Sequence, residues 1–261
     1  MTVSRHIRLH WQFMKMKLAE RMAYPFDFFT CFIAYLLWQV VGPVFVLVMY
    51  YAGGQFPGWT VQQVIVLQAA LSTIRGFTSM LLMGIIWNSN ERIKDGTFDM
   101  ILLRPLNTLW IFVMDSFDQE DAGQFVGGVI MLIIGITIAG GIAGSVPLFL
   151  LLALLGILFY FSLALFASAF TIKVIQTYQV YEFFTIINIF AGYPKTIYGK
   201  TLGIVFITVF PLLIAAHYPA SALLGLPMEG LLLAIVAAVL LFIISLTIWY
   251  RALRSYTSAG G

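Results

Sequence analysis

Charge is what this sequence lacks most. Charged residues make up 10% of the 261 residues and hydrophobic residues 61%, whereas ordinary soluble domains carry about 25% charged residues. Residues 28–74 contain no charged side chain, and neither do residues 122–172. A water-soluble fold could not bury so much apolar surface. The composition therefore excludes a soluble protein and predicts an all-α integral membrane protein.

Cysteine is nearly absent as well. Cys31 stands alone within an apolar stretch, which excludes a disulfide framework and a cysteine-based metal site. The basic residues near the N-terminus are spread too widely for a signal peptide, and no small-residue cleavage site follows them. The sequence contains no internal repeat and no low-complexity segment. We therefore expect residues 1–261 to form a single transmembrane domain.

The apolar segments are long enough for six transmembrane helices, since one span needs about 20 predominantly apolar residues. The predicted spans are 28–51, 61–87, 122–142, 148–172, 201–217 and 230–250. The apolar stretch 183–194 leaves three alternatives open: it dips into the membrane, lies along its surface, or begins the fifth span.

Basic residues alternate between the connections. Lys and Arg occur in the segments 1–27, 88–121, 173–200 and 251–261, and the connections 52–60, 143–147 and 218–229 contain none. The positive-inside rule therefore predicts that both termini are cytoplasmic, as an even number of spans requires. The net charge of +3 follows from this distribution and does not indicate a nucleic-acid partner.

Residues 1–25 are predicted to form an amphipathic interfacial helix before the first span. Apolar residues recur there every three or four positions, including Trp11, Met14 and Leu18, which is the period of one helical face. Basic residues lie away from this stripe, as expected for a helix on the inner membrane surface.

The second span carries one basic residue deep within apolar sequence. Arg75 lies near the middle of 61–87, where a charge costs about 2.5–3.5 kcal/mol on insertion scales. Gln68, Ser72, Arg75 and Ser79 are spaced by four, three and four residues, so they share one helical face. We interpret this face as part of a translocation pathway. The alternative is a packing site in which Arg75 pairs with Asp27 or an acid of 115–121.

Four acids precede the third span: Asp115, Asp118, Glu120 and Asp121. Such a cluster could bind Mg²⁺, which would suit an alternative function, a membrane-embedded metal-dependent lipid or isoprenoid transferase. The favoured interpretation is that acids at a helix start complement its dipole, since no histidine or second acidic motif completes an enzyme site. A secondary transporter would need broken helices and intramembrane acids in matching halves, and the sequence has neither.

The charged loop 88–121 carries the most specific pattern. Its key residues are Glu91, Arg92, Gly96, Thr97, Phe98, Asp99, Leu102, Arg104 and Pro105. Asp95-Gly96 offers a turn, Phe98, Ile101 and Leu102 offer apolar contacts, and Pro105 ends the helical stretch. This ordered set, ending in Leu-Leu-Arg-Pro-Leu, resembles the cytosolic coupling loop of exporter-type ABC permeases.

The resemblance implies how such a chain works. It implies a permease subunit of an ATP-driven exporter, whose loop contacts separate cytosolic ABC ATPase subunits. ATP and Mg²⁺ would then bind the ATPase, and this chain would carry no cofactor and no catalytic residue. It also implies a second permease subunit, identical or different, and a multi-pass location in a cell membrane, the prokaryotic cytoplasmic membrane being expected. The high aromatic content suits a hydrophobic or amphipathic substrate. The alternative is that the loop is a solvated connector.

One partial match to an ATP-binding motif is excluded. Gly199-Lys200-Thr201 resembles the end of a phosphate-binding P-loop, but Pro194 stands where that motif requires glycine. Proline lacks the backbone N–H that would contact phosphate. The chain is therefore not expected to bind ATP by this route.

Overall fold

A computed structural model describes residues 3–174 and 178–257, and every regular element in those residues is helical. The α-helices are α1 Val3–Arg21, α2 Pro25–Trp38, α3 Val41–Tyr51, α4 Val61–Thr78, α5 Gly84–Lys94, α6 Phe98–Leu102, α7 Thr108–Asp115, α8 Ala122–Ile138, α9 Val146–Val174, α10 Tyr178–Ala191, α11 Lys200–Thr208, α12 His217–Leu224 and α13 Leu231–Arg254. A π-helical segment, Ser79–Met83, joins α4 to α5, and 3₁₀ turns occupy Lys195–Ile197 and Leu212–Ala215.

Several of these helices are long and apolar enough to cross a membrane. Within the described residues, four qualify by length and composition: Pro25–Tyr51, Val61–Lys94, Val146–Lys173 and Leu231–Arg254. Two shorter apolar helices occupy Ala122–Ile138 and Glu182–Ala191. These findings confirm a helical, multi-pass membrane protein, and the count of six spans stays a prediction.

The fifth predicted span is not one helix. The segment 201–217 contains α11, which has nine residues, and the 3₁₀ turn Leu212–Ala215. Nine helical residues cover about 14 Å, half of a hydrocarbon core of about 30 Å. The break falls before Pro211, because a proline disfavours helical conformation in the preceding residue. The apolar helix α10 lies upstream of this break.

Contacts between connections define one end of the bundle. The ring centroids of Trp59 and His217 are 5.3 Å apart, and the N–H groups of Gly144 and Ser145 donate to carbonyls at the end of α12, with N···O distances of 2.9 and 2.7 Å. The connections 52–60, 143–147 and 218–229 therefore meet at one end, as their lack of basic residues predicted. We call it the distal end.

Lys195 lies at the distal end as well, where its Nζ atom is 3.4 Å from the Glu229 carboxylate. The distribution of basic residues predicts residues 195–200 at the other end, and the structure shows that this prediction is wrong. It was wrong because α10, too short to be counted as a span, separates Lys173 from Lys195. The same predicted segment includes residues 175–177, which lie outside the described residues.

The other end, called the terminal end, holds α1 and the end of α13. A separate apolar core lies there, and its fully buried members include Phe98, Phe112 and Trp249. A larger core, with Leu67, Phe159 and Tyr218, occupies the middle of the bundle and extends to the distal end. The charged loop 88–121 thus contributes residues to a core of its own.

Glycines let α8 approach its neighbours closely. A Cβ atom at Gly128 would lie 2.6 Å from the backbone nitrogen of Thr73 in α4, and one at Gly127 would lie 2.8 Å from the backbone oxygen of Leu36 in α2. Real Cβ atoms do not approach backbone so closely. The small-residue pattern in α8 therefore fixes α2 and α4 on either side of it.

Candidate translocation cavity and coupling segment

A cavity of about 830 Å³ lies beside the polar face of α4. The four residues predicted from helical spacing all line it: Gln68, Ser72, Arg75 and Ser79. Helices α2 and α10 form the facing walls, with Trp38 and Asn188 among the lining residues. The predicted polar face therefore faces an open volume.

Arg75 lines this cavity. Its Nε atom is buried and has no hydrogen-bond partner. Within the described residues, no acid lies at ion-pair distance from its guanidinium. The expected alternative, pairing with Asp27 or an acid of 115–121, is therefore not formed in this structure. The guanidinium group, whose N–H groups are all hydrogen-bond donors, therefore borders the cavity.

Helix α10 and the residue after it contribute polar groups that helical spacing does not predict. Gln68 Nε2 donates to the Gly192 carbonyl at 2.5 Å, and the Tyr160 hydroxyl donates to Asn188 Oδ1 at 2.7 Å. These bonds connect α4 and α9 to α10 and the residues after it. The available signal was the spacing of Thr185 and Asn188, which are three residues apart and line the same cavity. Their apolar surroundings in the sequence masked it.

Acids occupy the cavity wall nearest the terminal end. Asp118 and Asp121 both line it, and Gln124 Nε2 donates to Asp121 Oδ1 at 2.6 Å. Burial, and then the negative charge of Asp118, raise the pKa of Asp121 to about 6, against the opposing effects of Gln124 and Arg75. The cavity wall thus combines the partly buried guanidinium of Arg75 with a carboxyl group whose pKa is raised.

The π-helical segment Ser79–Met83 lies one turn beyond Arg75. Its Met80 carbonyl accepts a hydrogen bond from the Asp118 N–H at 2.8 Å, so the acidic loop is bound directly to the irregular part of the helix. Such segments occur often at functional sites. Its sequence, Ser-Met-Leu-Leu-Met, gives no signal for this irregularity.

Residues 95–105 of the charged loop, which we call the coupling segment, follow the end of α5 at Lys94. Gly96 has a φ of +68°, as the predicted Asp95-Gly96 turn requires, and α6 follows at Phe98–Leu102. Phe98 is fully buried, with its ring 4.7 Å from that of Tyr256 and 5.6 Å from that of Phe112. Ile101 is buried too.

The exposed apolar surface of the loop therefore differs from the expected one. Met100, Leu102 and Leu103 are 64%, 38% and 85% exposed, whereas Phe98 and Ile101 anchor the segment in the terminal core. The other residues predicted for coupling likewise differ in their exposure to solvent. Glu91, Gly96, Arg104 and Pro105 are exposed, and Arg92, Thr97 and Asp99 are partly buried.

Arg92 points into the protein and binds Asp115. Its Nη2 atom is 2.5 Å from Asp115 Oδ2, and Lys17 Nζ of α1 is 3.4 Å from the other carboxylate oxygen. Asn88 Nδ2 also donates to the Asp115 carbonyl at 2.9 Å. Asp115 therefore joins α1, α5 and α7 beside the loop.

Within the described residues, the four acids of 115–121 do not come together as one group of possible metal ligands. Asp115 is paired with Lys17 and Arg92, and Glu120 is paired with Arg21 at 3.0 Å. In the described part of the chain, the acids whose ligand atoms do converge are Asp27 and Glu120, together with Cys31. Two of the four acids, Asp115 and Glu120, thus form ion pairs with Lys17 and Arg21 of α1. These ion pairs fix α1 to the bundle.

The fold and the site define a multi-pass membrane protein with a polar cavity and an exposed segment at its terminal end. Residues 15–260 match the family described as ABC-2 family transporter protein. The chain belongs to this family, and is therefore a membrane permease of an ABC transporter, a class that associates with an ABC ATPase. No curated protein and no solved structure matches the chain.

Proposed function

We propose that this chain is the transmembrane subunit of an ATP-driven exporter that moves an amphipathic substrate through the cavity beside Arg75. The observation that carries the proposal is the continuous helix Val61–Lys94. Its middle bears the polar face of the cavity, and its end leads directly into the exposed coupling segment. A push on that segment therefore acts on the helix that lines the substrate site.

The proposed topology has six crossings with α10, rather than 201–217, as the fifth. Both termini and the coupling loop are cytoplasmic in this arrangement. Most basic residues support it, since Lys17, Arg21 and Arg92 lie at the terminal end with the loop and the cytoplasmic side carries the excess of Lys and Arg. The membrane is the prokaryotic cytoplasmic membrane.

The transport cycle follows from the rigid anchoring of the loop. Closure of the ATPase subunits on ATP displaces α6, whose buried Phe98 transmits the movement to the terminal core. Asp115 couples the same movement to α1 and α5. The π-helical segment beside Arg75 is the irregular point at which the helix can rearrange, so the cavity opens alternately to the two sides of the membrane. Two permease subunits, identical or different, complete the transporter.

The coupling segment offers a surface for an ATPase groove. Leu102 and Leu103 present apolar side chains, and Arg104 beside them offers bidentate contacts to carboxylates. Burying a neutral polar group without a hydrogen bond costs roughly 2–7 kcal/mol, and burying an unpaired charge in an apolar interface costs more. An interface of modest size cannot offset such a loss.

The test is a double substitution, Leu102→Asp with Arg104→Glu, assayed by ATPase co-purification and by transport in the same membranes. We expect both to fall at least tenfold while the permease remains folded. Lys94→Gln, a nearby exposed substitution, is the matched control and should change neither. If the double variant retains both co-purification and transport, the segment is only a solvated connector and the proposed coupling is wrong.

A further inference from the structure

A second cavity, of about 600 Å³, lies at the distal end, far from the coupling segment. It is formed by the connection before α4, the segment 195–204 and the turn before α13. Its walls combine apolar side chains such as Trp59, Ile207 and Leu226 with the polar side chains of Lys195, Lys200, His217 and Glu229. We call it the distal cavity.

Both lysines that the described structure brings to this end line the distal cavity. Connections on the outer side of a membrane protein are depleted of basic residues, so two lysines around one cavity call for a specific role. Lys195 is 3.4 Å from Glu229, but that carboxylate is 85% exposed, and such exposed pairs contribute little. Lys200 has no ion pair within the described residues.

His217 adds a buried hydrogen-bond donor. It is 5% exposed, and its Nδ1 atom accepts the backbone N–H of Lys195 at 3.4 Å. Burial, and then the charge of Lys195, lower the pKa of His217 to about 4, so the ring is neutral and its proton resides on Nε2. In the described part of the chain, no group accepts a hydrogen bond from Nε2.

The first turn of α11 faces the same cavity. Its N-cap, Gly199, provides no side-chain cap, and Gly199, Lys200 and Gly203 line the cavity. The free N–H groups and the positive end of the helix dipole at such a terminus favour an anion. Three features therefore border the same cavity: the positive charges of Lys195 and Lys200, the neutral donor of His217, and the uncapped start of α11.

We infer that the distal cavity binds an anionic head group, a phosphate or carboxylate, with Lys200, Lys195 and His217 Nε2 as donors and Trp59 and Ile207 beside the apolar part of the ligand. A lipid head group and a free anion share this chemistry. The inference goes beyond the proposed function, because binding here requires neither ATP nor the coupling segment.

The experiment measures binding by calorimetry to the full chain in nanodiscs of phosphatidylcholine. The probes are dihexanoyl phosphatidic acid, inorganic phosphate and, as the neutral-charge comparison, dihexanoyl phosphatidylcholine. Loss of a charged hydrogen bond typically costs about 1.5–3 kcal/mol, or roughly 10- to 100-fold in affinity. We expect Lys200→Gln to weaken binding of phosphatidic acid by at least tenfold. The exposed Lys173→Gln at the terminal end is the matched control and should leave it unchanged.

The probes distinguish the two sources of the anion. Phosphatidic acid binding at least tenfold tighter than phosphate identifies a lipid, whereas equal affinities identify a free anion, and both support the site. Equal binding of phosphatidylcholine and phosphatidic acid would overturn the inference. So would an unchanged affinity in Lys200→Gln, or an equal loss in Lys173→Gln. His217→Gln, which keeps a donor, should bind better than His217→Phe if Nε2 contacts the ligand.

Discussion

Arg75 shows how a single residue can indicate a function when its surroundings are known. A charge at mid-membrane depth is expensive, and an ion pair would be the simplest compensation. The structure instead leaves Nε without a partner and places the side chain beside a cavity of about 830 Å³. Because the side chain borders the cavity, its guanidinium could contact a substrate there, as the proposed function requires.

Substitution of Arg75 tests this directly. We expect Arg75→Leu to remain folded in the membrane but to reduce transport at least tenfold, because one charge-assisted contact to substrate is worth about 1.5–3 kcal/mol. Arg75→Lys should restore transport only in part, since lysine lacks the planar fork of donors. Transport in vesicles and thermal stability in detergent are the measurements. Loss of folded protein would favour a packing role, and full activity with leucine would exclude both roles.

At the scale of elements, α6 and the residue that follows it combine a buried anchor with an exposed apolar surface. Phe98 is fully buried against Tyr256 and Phe112, whereas Leu103 is 85% exposed. The first side chain fixes the position of the segment, and the second is free to contact a partner. Helical spacing gave no means of telling the two apart, because the segment is too short for a periodic pattern.

Substitutions of Phe98 and of Leu103 should therefore have different effects, one on stability and one on ATPase binding. Phe98→Ala removes a core ring and should lower stability by about 3–5 kcal/mol, seen as a lower melting temperature of the purified permease. Leu103→Asp should leave the melting temperature unchanged and reduce ATPase co-purification. If Phe98→Ala has the wild-type melting temperature, or Leu103→Asp captures the ATPase normally, the division between anchor and contact surface is wrong.

The sequence predicted best where the pattern was long and periodic. The cavity face of α4 followed from three spacings over twelve residues, because a helix repeats every 3.6 residues. The sequence did not predict α10 and α11, which are short and apolar and are separated by Pro194, because hydropathy alone could not tell a crossing from a partial insertion. The π-helical segment was unpredictable because its residues are ordinary helix formers.

At the scale of the whole molecule, the two ends differ in chemistry. The terminal end carries its own core and a network centred on Asp115 that joins three helices. The distal end carries the main core up to its surface and a cavity with two lysines. The proposed coupling surface and the inferred anion site therefore lie at opposite ends of the molecule.

This arrangement depends on which end faces the cytoplasm and on which end holds residues 195–200. The structure brings Lys195 to Glu229, and therefore to the distal end, whereas charge distribution alone had suggested the terminal end.

In a Cys31→Ala background, single cysteines at the exposed positions Gln55, Thr196 and Pro227 should all react with a membrane-impermeant thiol reagent added outside the cell. Cysteines at Asp95 and Thr257 should react only after the membrane is permeabilised, because these positions belong to the cytoplasmic end. External labelling at Asp95 would reverse the orientation and remove the basis for coupling to a cytosolic ATPase. Protection of Thr196 alongside labelling of Gln55 would instead show that α10 does not cross, and the distal cavity would then lose both of its lysines.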